Sequence, residues 1–308
     1  MGKMTGIIGN IKNIVKLKKE LQLLNEKLDV LMKQDNKGGD TLNSGILNIM
    51  IRELLREKYL EKIPAGRLEH HEYSVYSQNG EDGIISEIFC RIGGCKSRTF
   101  VEFGVGNGTE NNTVWLLCEG WSGLWIEAMQ EHCSTIRKLF YDYIEKKRLF
   151  LKNEFVRPDN INSLIADNFT GEIDLLSIDI DGYDYDVWNA IDCIAPRVVI
   201  AEYNAAFPPP ARWHMPYSES YFWRRDNYYG MTLSEARFLG EKKGYVLVGT
   251  DLHGVNAFFI RKDIFDENRC KFDYPLDDKS LFNPPRFWFL PGYRGHRNSF
   301  RFPEMVIE

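Results

Sequence analysis

Thr99-Phe-Val-Glu-Phe-Gly-Val-Gly-Asn-Gly-Thr-Glu110 is the stretch that decides the fold. An apolar strand, Thr99–Phe103, runs into the glycines Gly104, Gly106 and Gly108. A helix then begins around Asn111-Asn112-Thr113, with Asn112 or Thr113 as candidate caps. Glycines let the backbone turn tightly and approach a ligand closely, and a helix N-terminus adds unpaired N–H groups. Strand, glycine turn and helix in that order predict a ligand-binding loop at the carboxyl end of a strand.

The residues on either side narrow the ligand. The glycine spacing is GxGxG and lacks the GxGxxG of a dinucleotide site. Glu102 stands two residues before Gly104, where a pyrophosphate would not want a carboxylate. A cationic ligand would, and S-adenosylmethionine (SAM) carries both an ammonium and a sulfonium. Glu127 ends the next apolar run, 19 residues after Gly108, a position suited to ribose hydroxyls.

Further out, short apolar runs alternate with helical stretches, the pattern of a parallel α/β sheet. Strands are expected at 99–103, 123–127, 149–153, 173–179, 198–202, 245–250 and 257–261. Helices are expected at 81–92, 112–119, 131–143, 161–167, 185–191 and 233–243. Upstream, Ile14, Leu17, Leu21, Leu24, Leu28 and Leu31 repeat at 3 and 4, a heptad seam. That helix reads as an oligomerisation element, with membrane-surface binding or docking on its own body as the other possibilities. The breaker Asp35-Asn-Lys-Gly-Gly-Asp follows, and then an amphipathic helix near Ile46–Ile63. The expected organisation is a coiled-coil helix over 1–37, a linker and amphipathic helix over 38–68, and a catalytic domain over 69–308.

Composition limits the class. The 308 residues are 44% hydrophobic and 27% charged, ordinary for a globular chain. No apolar run reaches the ~20 residues needed to cross a bilayer, so no transmembrane segment is expected. The start, Met1-Gly-Lys-Met-Thr, lacks the pattern of a secretory leader, and a cytoplasmic location is expected. Residues 1–33 hold seven Lys against two Glu and one Asp, a net +4, so the rest carries −9 of the total −5. So acidic a body argues against a nucleic-acid partner. The six cysteines form no CxxC pair and read as reduced, mostly buried thiols.

Four stretches carry a resemblance: Tyr76-Ser-Gln-Asn-Gly-Glu-Asp82, the glycine loop with Gly120-Trp-Ser-Gly-Leu-Trp-Ile-Glu127, Asp174-Leu-Leu-Ser-Ile-Asp-Ile-Asp-Gly182, and Val199-Ile-Ala-Glu-Tyr-Asn204. With the strands around them they cover 73–261. This part of the chain resembles class I SAM-dependent methyltransferases, and within them the FkbM-like enzymes and sugar O-methyltransferases of polysaccharide clusters. The resemblance implies an α/β fold: a Rossmann-like, mostly parallel sheet with an antiparallel last strand, here carrying the N-terminal helical extension. It implies that Glu102, Gly104 and Gly106 surround the methionine end of SAM, with Asn112 at the helix start beside them. Glu127 would bind the ribose, and Asn153 or Glu154 would lie beside the adenine. Asp179 would sit near the methionine or the reaction centre, and Gln78 and Glu81 would close the site. A capped helix start is the other explanation of Ser77–Asp82.

The reaction needs a base. Ser177, Asp179 and Asp181 share one side if their strand continues that far. Asp179 or Asp181 is then a candidate general base for a sugar hydroxyl. The alternative is that Asp179, Asp181 and Glu202 hold Mg²⁺ through hard oxygen ligands. His214 and His253 are the other candidate bases. Nine aromatics fall within residues 203–229, with arginines among them. Tyr203, Arg212, Trp213 and Arg224 therefore read as an acceptor lid with Glu202 and Asn204, aromatic faces stacking on sugar and arginines gripping phosphate. The expected function is O-methylation of a sugar or nucleotide-linked sugar in surface-polysaccharide biosynthesis, by a homo-oligomer. The rival is a non-catalytic SAM-binding scaffold subunit of a glycan-assembly complex.

Overall fold

The computed structural model describes residues 53–218, 224 and 226–286, and the backbone of 306–307. The heptad helix, the breaker and the start of the second helix lie outside the described residues. The chain divides into two units, 1–59 and 60–308. Within the first, the described residues 53–59 are helical, as the amphipathic pattern predicts. Among the described residues no helix is long and apolar enough to cross a membrane.

The second unit is built on a seven-stranded sheet. Its strands are β1 (Thr99–Phe103), β2 (Ser122–Ile126), β3 (Leu149–Lys152), β4 (Gly171–Ile178), β5 (Ile194–Glu202), β7 (Tyr245–Thr250) and β8 (Asn256–Arg261). The order is β3-β2-β1-β4-β5-β8-β7. The pairs from β3 to β5 are parallel, whereas β8 runs antiparallel to both β5 and β7. This is the expected Rossmann-like sheet, mostly parallel with one antiparallel strand. Two residues, β6 (Ala211–Arg212), pair with β9 (Val306–Ile307) in a small second sheet that the sequence pattern did not suggest.

Period-two alternation sends side chains into two cores, one on each face. Val101, Phe103, Leu124, Ile126, Ile178 and Val199 enter one, and Phe100, Trp125, Leu175, Val198 and Ile200 the other. Each fully buried Leu, Ile or Phe contributes about 1.5–3 kcal/mol. Helices cover both layers: α1 (Glu81–Arg91), α2 (Val114–Cys118), α3 (Gln130–Leu139), α4 (Tyr141–Glu145), α5 (Ile161–Ala166), α6 (Asp184–Ala190), α7 (Leu233–Lys242), α8 (Lys262–Asn268) and α9 (Asp278–Leu281). The single helix expected at 131–143 is divided at Phe140, whose ring turns inward onto Trp125 at 4.8 Å.

The unit begins before residue 69. Leu68 is fully buried, and Arg67 bonds Glu69 while Asn283 donates to the same carboxylate at 2.9 Å, so this segment belongs to the body. The cysteines are free, but only Cys133 is buried, which corrects the expectation of mostly buried thiols. Cys118, for example, ends α2 on its outward side.

Candidate active site

The glycine loop is held by two carboxylates. Gly104, Gly106 and Gly108 adopt φ of 79°, 55° and 80°, which side-chain-bearing residues avoid. Gly104 is also tightly constrained, since a Cβ there would lie 1.4 Å from the carbonyl oxygen of Asp179. Glu102, on β1, is 2% exposed. Its Oε1 accepts from Asn112 N at 2.9 Å and Ser177 Oγ at 3.1 Å, and its Oε2 from Asn111 Nδ2 and Thr113 Oγ1, each at 2.5 Å. Burial pushes this carboxyl up, and the four donors oppose the shift. Thr113 opens α2 without a side-chain cap bond because its hydroxyl serves Glu102. Glu127, at the end of β2, accepts from Gly106 N at 2.9 Å and Met129 N at 2.8 Å, with His132 Nδ1 at 3.4 Å. Asn153 Nδ2 donates to the carbonyls of Glu127 and Ala128, each at 2.9 Å.

The Ser77–Asp82 stretch is both a helix entry and a wall of the site. Asp82 Oδ2 gathers the amides of Val75, Tyr76 and Ser77, and Asp82 N donates back to Ser77 Oγ. Glu81 turns the other way. It accepts from Asn79 N and Nδ2 at 2.8 and 3.0 Å, and from Asn256 Nδ2 on β8 at 2.8 Å.

The acids beyond β4 and β5 meet differently from the expected strand alternation. β4 ends at Ile178, and Asp181 takes φ of 53°, so Asp181 is in a turn and not on a continuing strand. Asp184 forms that turn by accepting from Ile180 N and Gly182 N at 3.0 and 3.1 Å. Even so, carboxylate oxygens of Asp179, Asp181 and Glu202 lie within 4.8 Å of one another. Ser177 points instead to Glu102 and Asn112. Burial and then the charges of Asp181, Asp184, Glu102 and Glu81 push Asp179 well above the usual carboxylate range. Burial and then Asp179, Asp181, Asp184 and Asp251 do the same to Glu202. The Oε2 of Glu202 is buried and has no hydrogen-bond partner among the described residues. Such a group holds a proton or a cation, so these three acids are the residues that could bind a metal.

A cleft of ≈ 290 Å³ opens over the sheet's carboxyl edge. It is lined by Gln78, Glu81, Glu102, Gly104, Gly106, Asn112 and Asp179, all expected. It is also lined by Asn79, Asn107, Glu110, Asn111, His132, Val255 and Asn256, which sequence reasoning did not single out. Asn256 was findable in principle: it opens the antiparallel strand and pairs in register with Glu202, so it must arrive at the same edge. Among the described residues no Lys or Arg lines the cleft.

The other predicted site residues lie apart from the lining. Glu127 and Asn153 stand behind the loop, and Glu154 N donates to the Glu127 carbonyl at 3.2 Å. His214 stacks on Tyr185 at 3.8 Å and lies 3.4 Å from Glu235. His253 is held near Asp251 at the β7–β8 turn. Tyr203 donates to Asn283 O at 2.7 Å, and Asn204 Nδ2 to the carbonyls of Asn227 and Tyr229 at 2.8 and 3.0 Å. Arg212 bonds Glu235 at 2.9 Å and covers the Phe238 ring, and Trp213 packs against Tyr228 at 5.2 Å. These residues build the loop after β5. Arg224 is exposed.

No family model matches the chain, and no curated protein does. Solved structures similar to it include one titled StiE O-MT, at 12% identity and TM-score 0.34, covering 54% of this chain and 52% of that one. An O-methyltransferase from Bacillus cereus in complex with SAH shows 17% identity and TM-score 0.31, over 50% and 65% of the two chains. The N-terminal domain of EvdMO1 with SAH bound shows 10% identity and TM-score 0.38, over 60% and 81%. The matched part thus spans about half to two thirds of the first two chains. At these values the fold rests on the strand order and register given above.

Proposed function

We propose that the protein is a SAM-dependent O-methyltransferase whose acceptor is the hydroxyl of a sugar or nucleotide-linked sugar, in surface-polysaccharide biosynthesis. The observation that carries it is the sign of the cleft. Glu81, Glu102, Glu110 and Asp179 line a site at the mouth of a glycine loop, and among the described residues no Lys or Arg joins them. A cationic ligand fits there and a polyphosphate does not. When bound, SAM would supply an electrophilic sulfonium methyl.

The chain's own residues supply position and a base. Gly104 and Gly106 bring backbone close to the ligand, and Glu127 fixes the loop through Gly106 N. Asp179 lies at the strand end where donor and acceptor would meet, and it has no side-chain hydrogen bond among the described residues. Its raised proton affinity suits it to take the hydroxyl proton as the in-line displacement proceeds. The closeness of Asp179, Asp181 and Glu202 favours a second role for them, as oxygen ligands of Mg²⁺ that would position the acceptor hydroxyl. The heptad seam supports a homo-oligomer, and the −9 body disfavours a nucleic-acid acceptor.

Methyl release from SAM should be measured across a panel of nucleotide sugars, with and without rigorous chelation. Turnover with at least one sugar supports the proposal. SAM binding without turnover on any member favours the scaffold role, and full activity after chelation excludes the metal.

A further inference from the structure

Two asparagines in the cleft share one arrangement. Asn111 donates its Nδ2 to buried Glu102 at 2.5 Å, and Asn256 donates its Nδ2 to buried Glu81 at 2.8 Å. A carboxylate accepts only from the NH₂ end of an amide, so each glutamate fixes which way its asparagine points. In both, the remaining Oδ1 is buried and has no hydrogen-bond partner among the described residues. Both residues line the same cleft, and Asn256 is only 3% exposed. A buried carbonyl oxygen without a donor is costly, and a bound molecule carrying N–H groups removes that cost.

We propose that Asn111 and Asn256 grip the α-ammonium of the methyl donor through their two carbonyl oxygens, with Glu102 and Glu81 as positioning residues that hold the amides. This rests on the SAM reading and deepens it. The ammonium is the ligand's strongest donor, and Asn111 after the glycine loop and Asn256 on β8 both line the cleft that would receive it. Glu102 then acts on the cation through Asn111, because its own oxygens are already engaged by four donors from the chain.

The test compares two ligands by calorimetry. S-adenosylhomocysteine carries the amino-acid end, and 5′-methylthioadenosine lacks it. Asn111→Ala and Asn256→Ala should each weaken S-adenosylhomocysteine by about tenfold to hundredfold, the range of a hydrogen bond to a charged group, and leave methylthioadenosine unchanged. A variant that keeps wild-type affinity for S-adenosylhomocysteine, or loses both ligands equally, overturns the role of that asparagine. Should Asn256→Ala fail to fold, Glu81→Gln carries the test, since a glutamine amide can reverse the Asn256 amide. It should lower affinity for S-adenosylhomocysteine alone, and an unchanged ratio of the two affinities overturns the positioning role. Wild-type protein that binds neither ligand overturns the SAM reading itself, and this proposal with it.

Discussion

The two sides of the cleft use their carboxylates in opposite ways. On the glycine-loop side, Glu102 and Glu127 are met by backbone amides, hydroxyls and an asparagine of the chain itself. Across the sheet edge, Asp179 and Glu202 crowd against Asp181, and Glu202 keeps a buried oxygen that no donor among the described residues meets. An acid met by the chain's own donors shapes a loop, and an acid left unmet awaits a ligand. Charge alone does not separate the two classes. The hydrogen-bond partners do.

Substitutions on the two sides should therefore fail differently. Asp179→Asn is expected to cut turnover by about 10²- to 10⁴-fold, the usual weight of a general base, and to leave the melting temperature unchanged or raised as like charges are relieved. Initial rates and calorimetry on one sample check this, and normal turnover would remove Asp179 from the mechanism. Gly104→Ala should do the reverse and strike the fold itself. Its Cβ would overlap the Asp179 carbonyl at 1.4 Å, and φ of 79° is strained for alanine. A loss of about 3–5 kcal/mol is expected in urea unfolding.

The buried acids around the cleft also set a pH signature, those with backbone donors included. Burial pushes Asp184 up to about 6, and burial with Glu81 pushes Asp251 up to about 7, while Asp179 and Glu202 move in the same direction. Between about pH 4 and 7 the folded chain thus binds more protons than the unfolded one. Stability should fall as pH rises through that window, by up to about 1.4 kcal/mol per pH unit for each such group. Asp174 acts in the opposite sense but at lower pH: burial would raise it, yet the amides of Lys96, Ser97 and Arg98 and the Arg197 guanidinium hold it below its usual range. A melting temperature that climbs steadily from pH 5 to 7 would contradict this account.

Glu102→Gln gives a smaller effect. It places an NH₂ against donors that need an acceptor, at a cost of about 2–3 kcal/mol in unfolding free energy. Glu127→Gln should be the mildest change, with about tenfold weaker S-adenosylhomocysteine binding and little change in melting. Equal stability losses in Glu102→Gln and Asp179→Asn would erase the contrast between the two sides.

The sheet was legible because each strand is a short apolar run ending at a polar residue, and local alternation is enough to place it. The break at Phe140 was not, because it depends on the ring of Trp125, a partner outside the helix. The aromatic stretch after β5 looked like a lid, but Tyr203 and Trp213 are buried and packed, and composition cannot tell a packed ring from a presented one. Asp179 and Glu202 were readable as polar residues closing apolar strands, whereas the turn that brings Asp181 to them depends on Asp184 and a positive φ. Asn256 was missed because its meaning lies in Glu81, 175 residues away, and no local pattern records that bond.

The central claim is that the unmet acceptors select a positively charged adenosine derivative. Calorimetric titration of the whole chain with SAM and, separately, with ATP tests it most directly, since both carry adenosine but differ in the sign of the tail. The account predicts SAM binding near 10 μM or tighter, about −7 kcal/mol, and no measurable heat with ATP. Tighter binding of ATP, or no binding of SAM at millimolar concentration, would contradict it.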